Sequence, residues 1–344
     1  MSDRIDIAPY QPDDIHSVVA VLGRCLAAEA ITSETFARKV LLDQNFDTRG
    51  ALVARDGSRV VCFGLGMVRR FQLEDTPPTF REQSSRDNSN ATTTFREQGS
   101  RNNGVSDFDR SWITLLAVDA EYRRRKIGTK IVAALEDYFL DRECATAWVS
   151  SYAPNYFTPG VDVNAYPEAL EFFKSLGYQE LLRPLSMDAN LVGLTTPEWV
   201  QQKESELAGK VTIECFRPEL ILPLLDWMRA EFPGDWQRFA RESMTKITLG
   251  EFRPDNVWIA HEDGKVLGYC QHDNAGRFGP FGVSADERGR GIGAVLLFKC
   301  LHAMRAKGLH NAWFMWTDDK VARLYAQAGF VESRRFALMR KAIR

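Results

Sequence analysis

Val283-Ser-Ala-Asp-Glu-Arg288-Gly-Arg-Gly-Ile-Gly-Ala294 runs from an extended apolar segment through a glycine-rich turn into a helix. From Ile292 onward, Val295, Leu296, Cys300, Leu301 and Met304 recur mostly at helical spacing, and Gly308 supplies a stop. The glycines therefore sit where a helix begins. A helix start has unpaired backbone N–H groups and a partial positive charge, and glycines let a phosphate approach both closely. Bulk at Gly289, Gly291 or Gly293 would obstruct that approach, so the turn reads as a cradle for a pyrophosphate.

Downstream lies Ala322-Arg-Leu-Tyr-Ala-Gln-Ala-Gly-Phe330, a helix closing at a glycine before the next strand. Arg288 to Ala294 matches the Arg/Gln-x-x-Gly-x-Gly/Ala signature, and the Tyr325 segment matches the later helix-and-strand motif, of the GNAT superfamily. The chain thus resembles the acyl-CoA-dependent N-acetyltransferases. The resemblance implies acetyl-CoA as acyl donor, held by Arg288, Gly289, Arg290, Gly291, Ile292, Gly293 and Ala294. It also implies that the strand Gly279-Pro-Phe-Gly-Val283, with Phe281 and Val283, presents its backbone to the pantetheine arm and thioester. Tyr325 is then the general acid for the departing thiolate. Asp318 stands where many relatives carry asparagine, a departure that bears on its donor-side contact. Pro280 and Gly282 weaken regular pairing and fit a bulged strand.

The landmarks occur twice. Ile5-Asp-Ile7 leads to the helix-like Ile15–Leu22, and Val211-Thr-Ile213 leads to Leu220–Met228. Hairpin signals follow at Asp56-Gly57 and Asp263-Gly264, which lie 49 and 50 positions after Ile7 and Ile213. Val118-Asp-Ala-Glu-Tyr-Arg123-Arg-Arg-Lys-Ile-Gly128 repeats the cradle, and Gly177-Tyr178 repeats Gly329-Phe330. Two copies of one domain result. The expected division is a first copy over 1–190, a connecting helix within 191–209, and a second copy over 210–344. Thr195-Thr-Pro-Glu198 carries helix-start signals for the connector, and Gly209 ends it. Strand and helix patterns interspersed with hairpins predict an α/β fold of the α+β type. Each copy is a mixed, mainly antiparallel sheet flanked by helices, as the resemblance also implies.

The first copy is longer. An insertion over about 72–109 is rich in Ser, Asn, Thr, Arg and Gln, and within it Thr79–Asn88 recurs as Thr94–Asn103, a duplication inside a loop. A second insertion, of 13 residues, covers the Tyr152–Gly160 region. The first copy also departs chemically: Lys126 replaces Gly291, and Phe173 replaces Tyr325, so catalysis is expected in the second copy.

Forty-four basic and 46 acidic residues leave a net charge of −2, which argues against a general nucleic-acid or membrane-surface binder. The run Arg123-Arg-Arg-Lys126 is a local exception and reads as a solvated turn. No stretch reaches the roughly 20 apolar residues of a membrane span, and a cytoplasmic protein is expected. Six scattered cysteines show no Cys-x-x-Cys pair, so they read as reduced core residues rather than zinc ligands.

Acyl transfer to an amine imposes two proton movements. An ammonium with a pKa near ~10 must lose a proton before attack, and the leaving sulfur must be stabilised or protonated. Tyr325 answers the second need. For the first, the candidates are Glu231, Asp273 and His272, with Asp235 nearby in the sequence. Together with Trp236, Trp313 and Trp316 they could line an amine pocket. The reading is acetyl transfer to a small primary amine such as an amino sugar, aminoglycoside or polyamine. The alternatives are a CoA-binding sensor without catalysis and a protein or peptide N-acetyltransferase.

Overall fold

A computed structural model describes residues 5–69, 110–153, 155–232 and 235–344. The first-copy insertion over about 72–109, with its duplicated tract, lies outside the described residues. The chain forms two compact units. Unit 1 comprises Met1–Arg183 and Phe336–Arg344, and unit 2 comprises Pro184–Arg335.

Unit 1 begins with β1 (Asp6–Pro9), α1 (Ile15–Cys25) and the single turn α2 (Ser33–Phe36). The hairpin β2 (Ala51–Asp56) and β3 (Arg59–Val68) follows, then β4 (Arg110–Val118), α3 (Ile127–Leu140) and β5 (Thr146–Val149). The short β6 (Val161–Asp162), α4 (Pro167–Ser175) and β7 (Gln179–Leu182) complete this run. Strands β1 to β4 are antiparallel neighbours, and β4 pairs β5 in parallel. Helices cover both faces. Val18, Val21 and Leu22 of α1 pack with Val53, Phe63 and Leu65 on one side, while Ile131, Leu135 and Phe139 of α3 pack with Ala54 and Cys62 on the other.

Unit 2 repeats the plan with β8 (Leu185–Asn190), α5 (Glu198–Leu207), β9 (Thr212–Cys215), α6 (Ile221–Glu231) and α7 (Asp235–Thr248). Next come the hairpin β10 (Val257–Glu262) and β11 (Lys265–His272), β12 (Phe278–Val283), α8 (Ile292–Ala306), β13 (Asn311–Thr317), α9 (Asp319–Ala326) and β14 (Phe330–Ala342). The β10–β11 turn holds Asp263 and Gly264 at φ 47° and 84°, the paired positive angles that an Asp-Gly hairpin supplies. Leu224, Leu225 and Met228 of α6 and Met244 of α7 cover Ile259 and Tyr269 on one face. On the other, Leu296, Leu297 and Leu301 of α8 are 0% exposed beside Leu267 and Cys270, each such burial giving about 1.5–3 kcal/mol.

The expected division at 190 and 210 is corrected by strand pairing. Residues Phe330–Arg335 of β14 pair with β8, which in turn pairs with β13, so a strand from the first copy completes unit 2. The remainder of β14 pairs with β5, β6 and β7 and completes unit 1. Each copy therefore lends a strand to the other's sheet. The connector helix is present as α5, yet it is part of unit 2's core, with Val200 and Leu207 buried beside α8.

All six cysteines are free thiols, and Cys62, Cys144, Cys270 and Cys300 are buried. Among the described residues no helix is long and apolar enough to cross a membrane.

Candidate active site

The cradle begins where α8 is capped by Gly291 in a left-handed conformation, φ 89°, with Gly289 at φ 85° two residues earlier. A side chain would be strained at both positions. Hydrogen bonding within α8 starts with Val295 N–H donating to Gly291 O at 3.1 Å, so the amides of Ile292, Gly293 and Ala294 precede the ladder. A Cβ on Gly289 would meet nothing within 4 Å, whereas one on Gly293 would stand 3.3 Å from Phe281 and 3.4 Å from Val283. Arg288 is exposed, while Arg290 is held by an ion pair to Glu287. Donors, glycines and an open approach fit an acyl-CoA diphosphate.

Space beside Gly291 is already occupied. The aliphatic stem of Lys203, on α5, lies 2.8–2.9 Å from where a Cβ would be, and its ammonium pairs with Glu206 at 2.6 Å. Sequence analysis missed this residue because only the packing of α5 on α8 brings it to the turn.

Strand β12 is bulged at Pro280, whereas Gly282 pairs in register with Tyr269. Its register against β11 slips between the pairs Cys270↔Phe281 and His272↔Phe278, leaving Gly279 and Pro280 as two residues against one. β12 pairs with β11 and not with β13: among the described residues the bridge to β13 on this side is the isolated parallel one from Arg277, just before β12, to Trp313. The sheet of unit 2 is thus split beside the cradle. In unit 1 the equivalent strands pair at four successive positions, from Arg110↔Thr146 to Ile113↔Val149.

Tyr325 stands on the α8 and α9 side of this split, 7% exposed. Its ring lies 4.5 Å from Phe314, 5.7 Å from Phe330, 5.9 Å from Phe281 and 6.0 Å from Phe278, centroid to centroid. Burial, then the nearby Cys270 and Asp318, pushes the phenol well above the ordinary tyrosine range. It is held protonated. Asp318 caps α9, its Oδ1 accepting from Val321 N–H at 2.7 Å, so the carboxylate is engaged within the protein.

The three base candidates are not gathered at one point. Glu231 ends α6 and lines a cleft of about 420 Å³ with Trp227, Ser284, Asp286 and Glu287. Asp273 closes the turn into β12, its Oδ1 accepting from Ala275 N–H at 2.8 Å and Arg277 N–H at 2.9 Å. His272 is 1% exposed; its Nδ1 lies 2.9 Å from Asp273 O, and its Nε2 lies 3.2 Å from Asp255 O and from Lys307 Nζ. Burial, outweighing its backbone hydrogen bonds, lowers the His272 pKa. Of the aromatic residues singled out in the sequence, Trp236 stacks on Phe232 at 4.4 Å and 7°, and this pair covers Gly282, where a Cβ would strike Phe232 at 2.5 Å. Trp313 lies at the end of the split, donating from Nε1 to Ala275 O at 3.2 Å.

Unit 1 keeps the shape of the cradle and loses its chemistry. Lys126 caps α3 at φ 60°, Arg124 has φ 64°, and Lys130 N–H donates to Lys126 O at 3.0 Å, as Val295 does to Gly291. Phe173, buried against Tyr178 and Phe172, has no proton to give. The ring of Phe172 would stand 3.3 Å from a Cβ on Gly128, the place Phe281 takes beside Gly293.

A split mixed sheet, a glycine cradle at a helix start and a buried phenol packed against both strands that flank the gap define an acyl-CoA-dependent transferase architecture. The chain belongs to the acetyltransferase (GNAT) family, whose model matches residues 34–178 and again 221–330. Members of this family are acyl-CoA-dependent N-acetyltransferases with acetyl-CoA as acyl donor. No curated protein sequence matches it. Among solved structures, it is similar to a glucosamine N-acetyltransferase region of a fungal multi-domain GH3 β-N-acetylglucosaminidase, with TM-score 0.77 and 17% identity. That match covers 99% of this chain and 38% of the fungal one, so the chain spans well under half of that protein. A GCN5-related N-acetyltransferase from Sphaerobacter thermophilus matches with TM-score 0.69 and 18% identity, covering 100% and 97% of the two chains. A tandem GNAT protein from the clavulanic acid biosynthesis pathway matches with TM-score 0.57 and 14% identity, over 99% of each. At these identities the likeness is one of fold.

Proposed function

We propose that unit 2 transfers an acetyl group from acetyl-CoA to the primary amine of a small molecule, an amino sugar being the first class to test. The observation that carries this reading is an intact glycine cradle at the start of α8 together with Tyr325, whose ring packs against both strands that flank the split, on Phe281 of β12 and Phe314 of β13. Gly289, Gly291 and the amides of Ile292, Gly293 and Ala294 would hold the diphosphate, with Arg288 and Lys203 supplying positive charge at its edge. Phe281 and Val283 would flank the pantetheine arm, and the gap beside β12 leaves strand backbone available to it. The amine nitrogen bonds to the thioester carbonyl carbon, the carbon–sulfur bond breaks, and the products are the amide and free CoA. Tyr325, kept neutral by its phenylalanine surround, gives its proton to the departing sulfur. None of Glu231, Asp273 or His272 is assigned as base; the amine enters the reaction in its neutral form, its ammonium proton having gone to solvent, and the proton it sheds on becoming the amide also passes to solvent, which returns one to the Tyr325 phenolate. The similarity to a glucosamine N-acetyltransferase region supports an amino sugar by fold alone.

Amine-dependent release of CoA from acetyl-CoA tests the proposal. Purified protein should release CoA with at least one amino sugar, aminoglycoside, polyamine or amino acid. Binding of acetyl-CoA without release for any amine would instead support a CoA-binding sensor. The protein is expected to act in the cytoplasm on a small-molecule amine, without nucleic acid or membrane as partner.

A further inference from the structure

Arg277 occupies the closed end of the split. It immediately precedes β12 and forms an isolated parallel bridge to Trp313 of β13. Trp313 is half-buried between Ala312 and Phe314, which pack into the α8-side core, so it points to the α6 and α7 face. The Arg277 guanidinium lies on that face too, 5.0 Å from the centre of the Phe239 ring of α7. Further along the same face, Phe232 and Trp236 cover Gly282. An aromatic row thus runs along the bulged strand and ends at a cation.

The charges around this cation are spoken for. Arg238, stacked on the same phenyl ring at 4.3 Å, lies 3.6 Å from Asp235 and pairs with Glu242. The Asp273 carboxylate receives the Arg277 backbone amide rather than its guanidinium. Among the described residues no carboxylate stands within ion-pair distance of the Arg277 side chain. A half-buried guanidinium stacked on an aromatic ring has a planar fork of donors and one side already desolvated. Such a group is suited to a planar or tetrahedral anion.

We infer that Arg277 binds an anionic group of the acceptor, so that the substrate is an amine that also carries a carboxylate or a phosphate. This rests on the transferase reading above and narrows its acceptor class. The amine would lie along the aromatic row toward the acyl carbon, with the anion held at the closed end of the split. Arg277 is then a positioning and specificity residue; it takes no part in proton transfer.

The test compares acceptors in pairs that differ by the anion: glucosamine with glucosamine 6-phosphate, and an amino acid with the amine lacking its carboxylate. Each pair is measured with the full-length wild-type protein, Arg277→Ala and Arg277→Lys. In the wild type, kcat/KM should favour the anionic member of one pair by about ten- to a hundredfold, the range for a hydrogen bond to a charged group. The favoured pair distinguishes phosphate from carboxylate. Arg277→Ala should abolish that preference chiefly through KM, Arg277→Lys should restore part of it, and both should keep the wild-type acetyl-CoA Kd. A wild-type preference for the uncharged members, or an equal loss for both members in Arg277→Ala, would overturn the role of Arg277 and leave the transferase reading standing. Absence of release with every acceptor, while acetyl-CoA binds, would overturn both.

Discussion

Lys126 and Gly291 hold one backbone conformation at the same place in the two copies, each capping a helix in the left-handed region at φ 60° and 89°. A side chain in that region costs roughly 1–2 kcal/mol. Lys126→Gly is therefore expected to stabilise unit 1 by about 1 kcal/mol while leaving turnover unchanged. Gly291→Ala should destabilise unit 2 by a similar amount, press on the Lys203 stem and weaken acetyl-CoA binding. Thermal unfolding and titration with acetyl-CoA read both. A destabilised Lys126→Gly would show that the lysine side chain contributes more than its strain removes.

Tyr325 presents its ring to four phenylalanines. Tyr325→Phe keeps the ring and removes a hydroxyl from apolar surroundings, so unfolding free energy should change by no more than about 1 kcal/mol. The acetyl-CoA Kd should also be unchanged. A large loss of stability would mean that the hydroxyl holds the fold and that any fall in turnover is indirect.

The raised pKa of Tyr325 has a consequence for the pH–rate profile. A phenol with an ordinary value would begin to lose its proton near pH ~10, and activity would fall there. Because burial holds this one protonated, kcat/KM should rise with pH as the acceptor amine deprotonates and should show no falling limb near ~10. A falling limb there that disappears in Tyr325→Phe would contradict the environment described for this residue.

His272 and His302 both have pKa values lowered by burial. A base whose folded pKa lies below its unfolded value of about 6.5 binds fewer protons when folded, so stability is present above that value and is lost as pH falls below it. Unit 2 should accordingly unfold more easily at pH 5 than at pH 7. His272→Gln should flatten this dependence, as read from denaturant midpoints at several pH values. An unaltered slope would assign the dependence to other groups.

The exchange of strands makes unit 1 depend on the end of the chain. Phe336, Ala337 and Met339 are each 0% exposed, and truncation after Arg335 removes all three with the strand that pairs β5 and β7. Residues 1–335 should lose the unfolding transition of unit 1, since loss of the Phe336 or the Met339 side chain alone costs about 2–5 kcal/mol. Native-like unfolding of the truncated chain would show that unit 1 closes its sheet without β14.

The exchange itself was not legible in the sequence. Leu185–Asn190 and Phe330–Ala342 announce strands, and their patterns fit an edge in either copy, because local alternation records a buried face without recording the neighbour. What was legible depended on short-range physics. Glycines at φ-positive positions marked the cradle, Asp-Gly marked the hairpin turns, and Pro280 marked the bulge. Tyr325 could be placed because it lies one helix after a recognisable turn. Lys203 and Arg277 could not be found the same way. Lys203 reaches the cradle only when α5 packs on α8, and Arg277 matters for the carboxylates that do not approach it. The base candidates failed to converge for the same reason: His272 and Asp273 precede β12 closely in sequence and Glu231 ends α6, and packing directs the three to a buried network, a turn and a cleft.

Release of CoA from acetyl-CoA, followed with the amine panel for the wild type and Tyr325→Phe side by side, tests the central claim most directly. Release that requires an amine, and that falls by ~10²–10⁴ in Tyr325→Phe at unchanged acetyl-CoA affinity, is the result expected of a general acid. Amine-dependent release that proceeds at the wild-type rate in Tyr325→Phe would contradict it.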